Sequence, residues 1–210
     1  MSECDYFVVA GHLCLDLTPA LTASGLPQPG KLTKAGPLHM SPGGAISNVG
    51  LALWRLGCRV RVAGLVGDDW LGKTYRNLIQ PLGEQPGIQV APGQATSYSI
   101  VIAPESCDRA FLHCAGTNAG FTSMHVRDQS LDGATWLHFG YPPLMPAVAD
   151  NGGKERASLF CRARAHGLQT SLDFCSISPD SASIDWREVL RNRVKFVTVL
   201  RSLRTRFTWL

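Results

Sequence analysis

The 210-residue sequence lacks the features that would place it in a membrane, outside the cell or among zinc proteins. It contains no apolar run of about 20 residues, which a membrane-spanning helix requires. Its first residues include Glu3 and Asp5, where an export signal would be basic. Its seven cysteines form no C-x-x-C pair and are irregularly spaced. We therefore expect reduced, buried thiols in a cytoplasmic protein without a membrane contact or a metal site.

Charged and aromatic residues are also scarce, at 17% and 8% of the chain, while hydrophobic residues make up 45%. This composition describes a folded globular protein rather than a disordered one. The net charge of +4 is unevenly distributed, because residues 1–188 hold 14 basic and 16 acidic side chains and the last 22 residues hold six basic and none acidic. Without an aromatic stacking platform, we interpret this basic segment as a solvated end and expect no nucleic-acid partner.

Several catalytic fingerprints are absent. No G-x-G-x-x-G follows the first strand-like run, no G-x-S-x-G occurs, and the Ser, His and Asp residues show no spacing that singles out a triad. The six histidines are scattered, and we interpret each as a structural or surface residue rather than a catalyst. Dinucleotide-binding and serine-hydrolase functions are therefore not indicated.

The sequence does contain an alternation of strand and helix patterns. Strands are predicted at 6–11, 59–67, 135–140, 168–174 and 195–199. Helices are predicted at 44–56, with Gly57 as a left-handed cap, and at 69–80, 154–166 and 185–193. This order predicts an α/β fold with a doubly wound, mostly parallel sheet.

Two β-rich interruptions, residues 17–42 and 93–118, break this alternation. The first predicts loops or short exposed strands, and the second contains a hairpin signal at 97–103 and 109–115. We expect the two segments to pair as a small lid. In doubly wound sheets the ligand lies beyond the carboxyl ends of the strands. The residues predicted there are Asp16, Gly67–Asp69, Gly140–Pro143 and Asp173–Ser176.

The octet GDDWLGKT, residues 67–74, matches G-x-x-x-x-G-K-[ST], the phosphate-cradling loop of nucleotide hydrolases. Two carboxylates inside such a loop would face the phosphate oxygens, and like charges ~4 Å apart repel by ~4 kcal/mol at an effective dielectric of ~20. Trp70 adds bulk where the backbone must approach closely. We favour a strand end followed by a helix that Asp68 or Asp69 caps, and we keep a P-loop hydrolase as a distant alternative.

Residues 42–72, PGGAISNVGLALWRLGCRVRVAGLVGDDWLG, carry a longer and more specific pattern. They resemble the N-terminal signature of the ribokinase-like (phosphofructokinase-B) family of sugar kinases. The matching positions are Gly43, Gly44, Asn48, Gly57, Gly64, Gly67, Asp69 and Gly72. Ile46 and Gly50 stand where the family prefers Ala-like residues. Further segments resemble the family as far as about Val197.

The resemblance implies a ribokinase-like fold and transfer of the γ-phosphoryl group of ATP, with Mg²⁺, to a hydroxyl of a sugar or nucleoside. VAGHLCLDL looks like the family's first strand, whose final Asp holds sugar hydroxyls. The implied substrate-binding residues are Asp16, Gly43, Gly44, Asn48, Asn118 and Gly140. Carboxylates and amides suit a neutral ligand covered in hydroxyls, and a Gly-Gly pair lets the chain pass close to it. A homodimer through the lid is also expected.

In the family, the catalytic base and the phosphate-binding N–H groups lie in a late Gly-x-Gly-Asp segment, and an Asn-x-x-Glu segment is associated with magnesium. Neither pattern occurs here, since Gly-Asp is found only at 67–68. We therefore assign no catalytic, cofactor-binding or metal-binding residue. We expect a C-terminally truncated kinase domain at 1–197, followed by a basic segment at 198–210 that departs from the family. The chain is then a sugar kinase that is inactive alone, or a non-catalytic product that retains sugar or partner binding.

Overall fold

The computed structural model describes residues 6–21, 27–83, 85–105, 108–175 and 199–202. The strands in these ranges are β1 Tyr6–Gly11, β2 Cys14–Leu21, β3 Ala35–Gly43, β4 Arg59–Gly67, β5 Ile88–Ala91, β6 Tyr98–Ile102, β7 Ala110–Cys114, β8 Ala134–Gly140, β9 Gln169–Phe174 and β10 Val199–Ser202. The helices are α1 Gly44–Arg55, α2 Trp70–Leu78, α3 Asp128–Leu131 and α4 Pro146–Ala165. None of the helices in the described part of the chain has the length and apolarity needed to cross a membrane.

The large sheet has the strand order β10-β9-β8-β1-β4-β5, and every neighbouring pair is parallel. Successive side chains of a strand point to opposite faces, so both faces must be covered. In β1, Val8 packs into the core that includes Phe160 of α4, while Val9 packs into the core that includes Ile46 of α1. Helices therefore cover both faces, and the predicted doubly wound α/β fold is confirmed.

A second, small sheet has the order β3-β2-β6-β7. Strand β2 pairs antiparallel with β3 and parallel with β6, and β6 and β7 form the predicted antiparallel hairpin. Residues 17–42 contain long portions of two strands rather than the predicted loops or short strands. Pro37 and Pro42 lie in β3, an edge strand, where a missing N–H is tolerated; these prolines obscured the strand in the sequence.

The helix boundaries predicted from the sequence agree well with the structure near the N-terminus and less well further along the chain. Helix α1 ends at Arg55, and Gly57 has the left-handed φ of +84° expected of a cap. Helix α4 starts at Pro146, eight residues before the predicted start, because the buried Met145 and Val148 anchor its first turn in the core. The described strand β10 begins at Val199, while the predicted helix 185–193 and residues 195–198 lie outside the described residues.

Candidate functional site

The site begins where the chain leaves the large sheet for the small one. The segment VAGHLCLDL, expected to be one strand ending in Asp16, is two strands, β1 and β2, joined at His12 and Leu13. Asn118 fixes this junction, because its side-chain amide donates to the Leu13 carbonyl at 2.7 Å and its oxygen lies 3.5 Å from the Leu13 N–H. Asp16 therefore belongs to the small sheet, not to the end of the first core strand.

Asp16 stands in a row of polar residues across the small sheet. The strand register places it opposite Ser99 of β6, which is itself opposite His113 of β7. The Ser99 hydroxyl lies 3.0 Å from Nδ1 of His113, and the Cys14 thiol donates to Oδ1 of Asp16 at 3.0 Å. The row presents one carboxylate, one hydroxyl and one imidazole side by side, a set that can exchange hydrogen bonds with ligand hydroxyls.

The Gly43-Gly44 pair brings the start of α1 against this row. A β-carbon on Gly43, the residue that caps α1, would overlap the carboxylate of Asp16. Gly44 has a φ of +82°, and a β-carbon there would come within 2.6 Å of the His12 carbonyl oxygen. Position 44 requires glycine, and a side chain at position 43 would displace the Asp16 carboxylate. The close approach puts Asp16 next to the positive end of the helix dipole.

Asn48 and Tyr141 form the opposite side of the site. Asn48 is exposed in the first turns of α1, and its side-chain nitrogen lies 3.5 Å from the Tyr141 hydroxyl. Tyr141 has a left-handed φ of +63°, and its N–H donates to the Asp173 carbonyl at 2.9 Å. Positive φ is uncommon for a bulky residue, and such strained conformations cluster at functional sites. The conformation of Tyr141 therefore favours a functional role for the loop after β8.

His12 lies between these two sides. It is 2% exposed, its ring centroid is 5.3 Å from that of His113 and 6.1 Å from that of Tyr141, and neither ring nitrogen has a hydrogen-bond partner among the described residues. Burial, with the neighbouring His113 as a smaller contribution, lowers the pKa of His12 to about 3. The imidazole is therefore neutral at physiological pH.

Burial also dominates the protonation of the other groups in the site. It raises the pKa of Asp16, although the Cys14 hydrogen bond and the charges of His113 and Arg109 offset part of that rise. It raises the pKa of the Cys14 thiol, and it raises that of the Tyr141 hydroxyl against the opposing Asn48 hydrogen bond. Asp16 accepts the Cys14 thiol but has no ion-pair partner within salt-bridge distance in the described part of the chain, so its carboxylate can accept further hydrogen bonds from a ligand.

Two of the six residues predicted to bind substrate have structural contacts instead of an open face. Asn118 is fully buried, and its amide holds Leu13. Gly140 ends β8, its carbonyl accepts the His12 N–H at 3.2 Å, and a β-carbon on it would overlap Ala45 of α1. The other four, Asp16, Gly43, Gly44 and Asn48, meet around the start of α1.

The octet 67–74 ends β4 and begins α2, as favoured from the sequence. Asp69 caps α2: its Oδ1 accepts the Gly72 N–H at 2.8 Å, and its Oδ2 accepts the Thr96 N–H at 2.8 Å. Lys73 is exposed on the helix. Since a carboxylate already occupies the helix N-terminus, this segment offers no cradle for a phosphate.

Comparison with known proteins identifies the fold and the family together. The model of the pfkB family carbohydrate kinases matches residues 5–200, nearly the whole chain. The chain belongs to the pfkB family of carbohydrate kinases. This confirms the resemblance drawn from Gly43-Gly44, Asn48 and the glycines after them.

Individual relatives agree with this family assignment. Fructokinase-2 of Solanum habrochaites is 28% identical over 142 residues, covering 66% of this chain and 42% of that protein. A fructokinase structure from Xylella fastidiosa superposes with a TM-score of 0.73 at 21% identity, covering 93% of this chain and 58% of the other. A putative ribokinase II from E. coli, in complex with ATP and Mg²⁺, gives 0.75 at 18% identity over 95% and 62% of the two chains. The chain spans less than half the length of the curated relatives it matches.

The family implies ATP and Mg²⁺, and the described residues show neither a cluster of metal ligands nor a phosphate-binding loop in the octet. No group of three or more His, Cys, Asp or Glu side chains in the described ranges could hold a metal ion. The helix N-terminus in the octet is occupied by Asp69, and its two glycines pack against residues 94–96. We therefore assign no residue of this pfkB-family chain to the nucleotide or the metal.

Sequence reasoning missed several residues of the site, namely His12, Cys14, Ser99 and His113, whereas Tyr141 lies in the predicted segment Gly140–Pro143. Their spacing along the chain carries no signal, since the strand register alone aligns Ser99 and His113 with Asp16. The one available clue was the hairpin at 97–115, because fixing its partner strand would have fixed that register.

Proposed function

We propose that this chain carries the sugar-binding side of a kinase that transfers the γ-phosphoryl group of ATP to a sugar hydroxyl. The observation that carries the proposal is the half-buried carboxylate of Asp16, held against Gly43 at the start of α1. A carboxylate that has given up part of its hydration binds hydroxyl donors strongly, because such charge-assisted bonds contribute about 1.5–3 kcal/mol each.

The neighbouring groups give the proposed ligand its chemical class. Asn48 supplies both a donor and an acceptor, and the Tyr141 hydroxyl lies beside it. Within the site, the described residues offer hydrogen-bonding groups and no cationic pair that would clamp a charged substrate. A neutral, hydroxyl-rich ring fits these groups, and we favour a free sugar over a nucleoside on this ground.

We further propose that the small sheet closes over the bound sugar as a lid. It contributes Asp16 and Ser99 to the site, and it joins the large sheet through the Leu13 junction and the Gly43-Gly44 turn. Turns that contain glycine absorb changes in backbone angles, so this connection suits a hinge. Closure would remove water from the sugar hydroxyls.

These 210 residues by themselves are proposed to bind the sugar without phosphorylating it. Phosphoryl transfer needs a base for the attacking hydroxyl and donors for the developing negative charge. The sequence has no Gly-x-Gly-Asp segment to supply them. ATP would supply the phosphoryl group, and no residue described here is assigned to hold it.

The experiment combines binding with turnover. Isothermal titration of the 210-residue polypeptide with ribose, fructose, glucose and adenosine is expected to show binding of a sugar and no binding of adenosine. Coupled detection of ADP is expected to show no turnover. Asp16→Ala should weaken sugar binding at least about tenfold, while Asp108→Ala, an exposed acid before β7, should leave it unchanged. Unchanged binding in Asp16→Ala would overturn the site, and ADP formation would overturn the claim of no turnover.

We also propose that a second copy of the chain pairs with the small sheet. The edge strands of that sheet carry exposed apolar side chains, Leu38 of β3 and Phe111 and Leu112 of β7, each at least half exposed. Edge strands with exposed apolar residues favour association. Light scattering across a range of concentrations should show a dimer that Phe111→Ser dissociates, and a monomer at all concentrations would contradict this proposal.

A further inference from the structure

A cavity of about 380 Å³ lies beneath the C-terminal half of α2, far from the site around Asp16. Helix α2 and the turn that follows it form one wall, through Lys73, Arg76, Asn77 and Gln80, and Gln85 and Ile88 form the other. This volume falls within the range of small-molecule sites.

The two charged side chains in the cavity walls are both positive. Lys73 and Arg76 are one turn apart on α2, both are exposed, and neither forms an ion pair with another described residue. Asn77 and Gln80 add carboxamide donors, while the Gln85 amide is already hydrogen-bonded to the Val60 and Leu82 carbonyls, and no described residue in the lining is acidic. Guanidinium and ammonium groups beside amide donors are the set that proteins use for phosphate groups.

The wall formed by Gln85 and Ile88 is fixed before any ligand arrives. The Gln85 side chain accepts the Val62 N–H at 2.8 Å and donates to the Leu82 carbonyl at 2.7 Å, so it cannot swing into the cavity without breaking both bonds. Ile79 and Ile88 are 2% and 6% exposed and anchor the base in the core. A rigid cavity loses little conformational entropy when it binds.

Two carbonyl groups in the turn that follows α2 already have hydrogen-bond donors. The Ile79 carbonyl accepts the Leu82 N–H at 3.0 Å, and the Gln80 carbonyl accepts the Gly83 N–H at 2.8 Å. Because these bonds compensate part of the negative charge of the two oxygens, they oppose an anion less than free carbonyls would, and Lys73 and Arg76 supply positive charge in the same lining.

The position separates this cavity from the proposed sugar site. Strand β5 is the edge of the large sheet opposite β10, and Ile88 is its first residue. Helix α2 starts at Trp70, near the carboxyl end of β4, and runs back toward the amino ends of the parallel strands. The cavity therefore opens at the opposite end of the strands from the Asp16 site.

We propose that this cavity binds a phosphate group, either inorganic phosphate or the phosphate of a small phosphomonoester, through Lys73 and Arg76. The proposal does not depend on the sugar-kinase proposal, because none of its residues takes part in the Asp16 site. It also gives a role to Lys73, the residue that the octet motif suggested for a different phosphate.

The test is a titration of the isotopically labelled polypeptide by ¹H–¹⁵N NMR, with inorganic phosphate and with glycerol 3-phosphate, at an ionic strength held constant with chloride. We expect saturable shifts at Lys73, Arg76, Asn77 and Gly83. K73Q and R76Q should each weaken binding, and the double variant should weaken it at least about tenfold. R55Q, which removes an equally exposed cation at the end of α1, is the matched control and should bind as the parent does.

The relative affinities distinguish inorganic phosphate from a phosphomonoester as the ligand, and the variants test whether the cavity binds phosphate. Tighter binding of glycerol 3-phosphate assigns a phosphorylated metabolite, and equal binding assigns free phosphate; both support the site. E84Q should bind phosphate as tightly as the parent or more tightly, because Glu84 is the one acidic residue in the sequence from 70 to 91. Shifts that chloride reproduces, shifts that spare α2, or unchanged affinity in the folded double variant would overturn the proposal.

Discussion

The carboxylate of Asp16 lies so close to Gly43 that a β-carbon at position 43 would require Asp16 to move. One residue comes from the small sheet and the other caps the first helix of the large domain, 27 residues later in the chain. The contact means that the acceptor and the helix N-terminus beside it form one unit, and any change that separates them changes the site.

Replacement of Gly43 by Ala should therefore weaken sugar binding with a moderate loss of stability. Gly43 has a φ of −114°, which alanine adopts readily, so the effect comes from the added methyl group pushing Asp16 away. We expect affinity to fall at least about tenfold and unfolding free energy to fall by about 1–3 kcal/mol. Titration calorimetry and urea unfolding measure the two quantities.

The control for this change is Gly57→Ala. Gly57 has a φ of +84°, and no described atom lies within 4 Å of the position that a methyl group would take, so alanine there adds backbone strain without touching the site. It should cost about 1 kcal/mol of stability and leave sugar affinity intact. Equal affinity losses in the two variants would show that a general loss of stability, and not the displacement of Asp16, lowers binding.

Asp16→Asn should weaken sugar binding without destabilising the protein at pH 8. Because burial raises the pKa of Asp16 in the folded state, the folded chain holds a proton there that the unfolded chain has already lost. Stability from this group is therefore present at low pH and is lost as the pH rises through the raised pKa. Asparagine removes that loss, so the variant should be as stable as the parent or more stable at pH 8.

Thermal melts of parent and Asp16→Asn at pH 4 and pH 8 measure this difference, with Asp108→Asn as an exposed carboxylate control. The relative stability of Asp16→Asn should improve from pH 4 to pH 8. A decline over the same interval would mean that the ionised carboxylate holds the small sheet in place, in conflict with its assignment as a ligand-binding group.

Asn118→Ala should lower stability, whereas Asn48→Ala should lower sugar affinity and leave stability nearly unchanged. Asn118 is buried and satisfies the Leu13 backbone from 105 residues away, so its loss leaves a buried carbonyl unpaired at a cost of about 1–3 kcal/mol. Asn48 is exposed, so its loss should leave stability within about 0.5 kcal/mol and lower sugar affinity. Urea unfolding and calorimetry on both variants check this, and a stability loss in Asn48→Ala that matches Asn118→Ala would reverse the assignment.

The order of strands and helices was predictable because each strand and helix has its own regular spacing of apolar residues in the sequence. The predicted helix 44–56 and the capped helix after Asp69 depend on local spacing and on groups within one turn, such as the Asp69 bond to the Gly72 N–H. The Gly43-Gly44 and Asn48 positions came from the resemblance to the family, whose signature residues lie close together in the sequence.

The remainder of the site depends on contacts between distant segments. Asp16, Ser99 and His113 meet only through the register of three strands, and a shift of one residue would turn each to the other face of the sheet. Asn118 was predicted to bind substrate from the resemblance to the family, while its burial follows from the path of the Leu13 junction. The residue pattern of a single strand reveals neither the alignment of these three residues nor the burial of Asn118.

The buried imidazole of His12 should make the protein sensitive to acid. Its folded-state pKa is about 3, while an unfolded chain binds the proton near pH 6.5. Between these values the unfolded state holds more protons, so stability falls as the pH drops below about 6.5. From pH 7.5 to pH 4.5 this one group accounts for about 2–3 kcal/mol of lost stability, given 1.36 kcal/mol per pKa unit.

His12→Phe should remove that loss, because phenylalanine fills the space between His113 and Tyr141 with a ring that cannot be protonated. Urea unfolding at the two pH values should show a smaller acid penalty in the variant by about 2–3 kcal/mol. His12→Leu is the smaller second variant, and it should show the same reduction even where phenylalanine strains the site. The exposed His39→Gln is the control and should keep the full acid penalty. An acid penalty that stays unchanged in both His12 variants would mean that another group carries it.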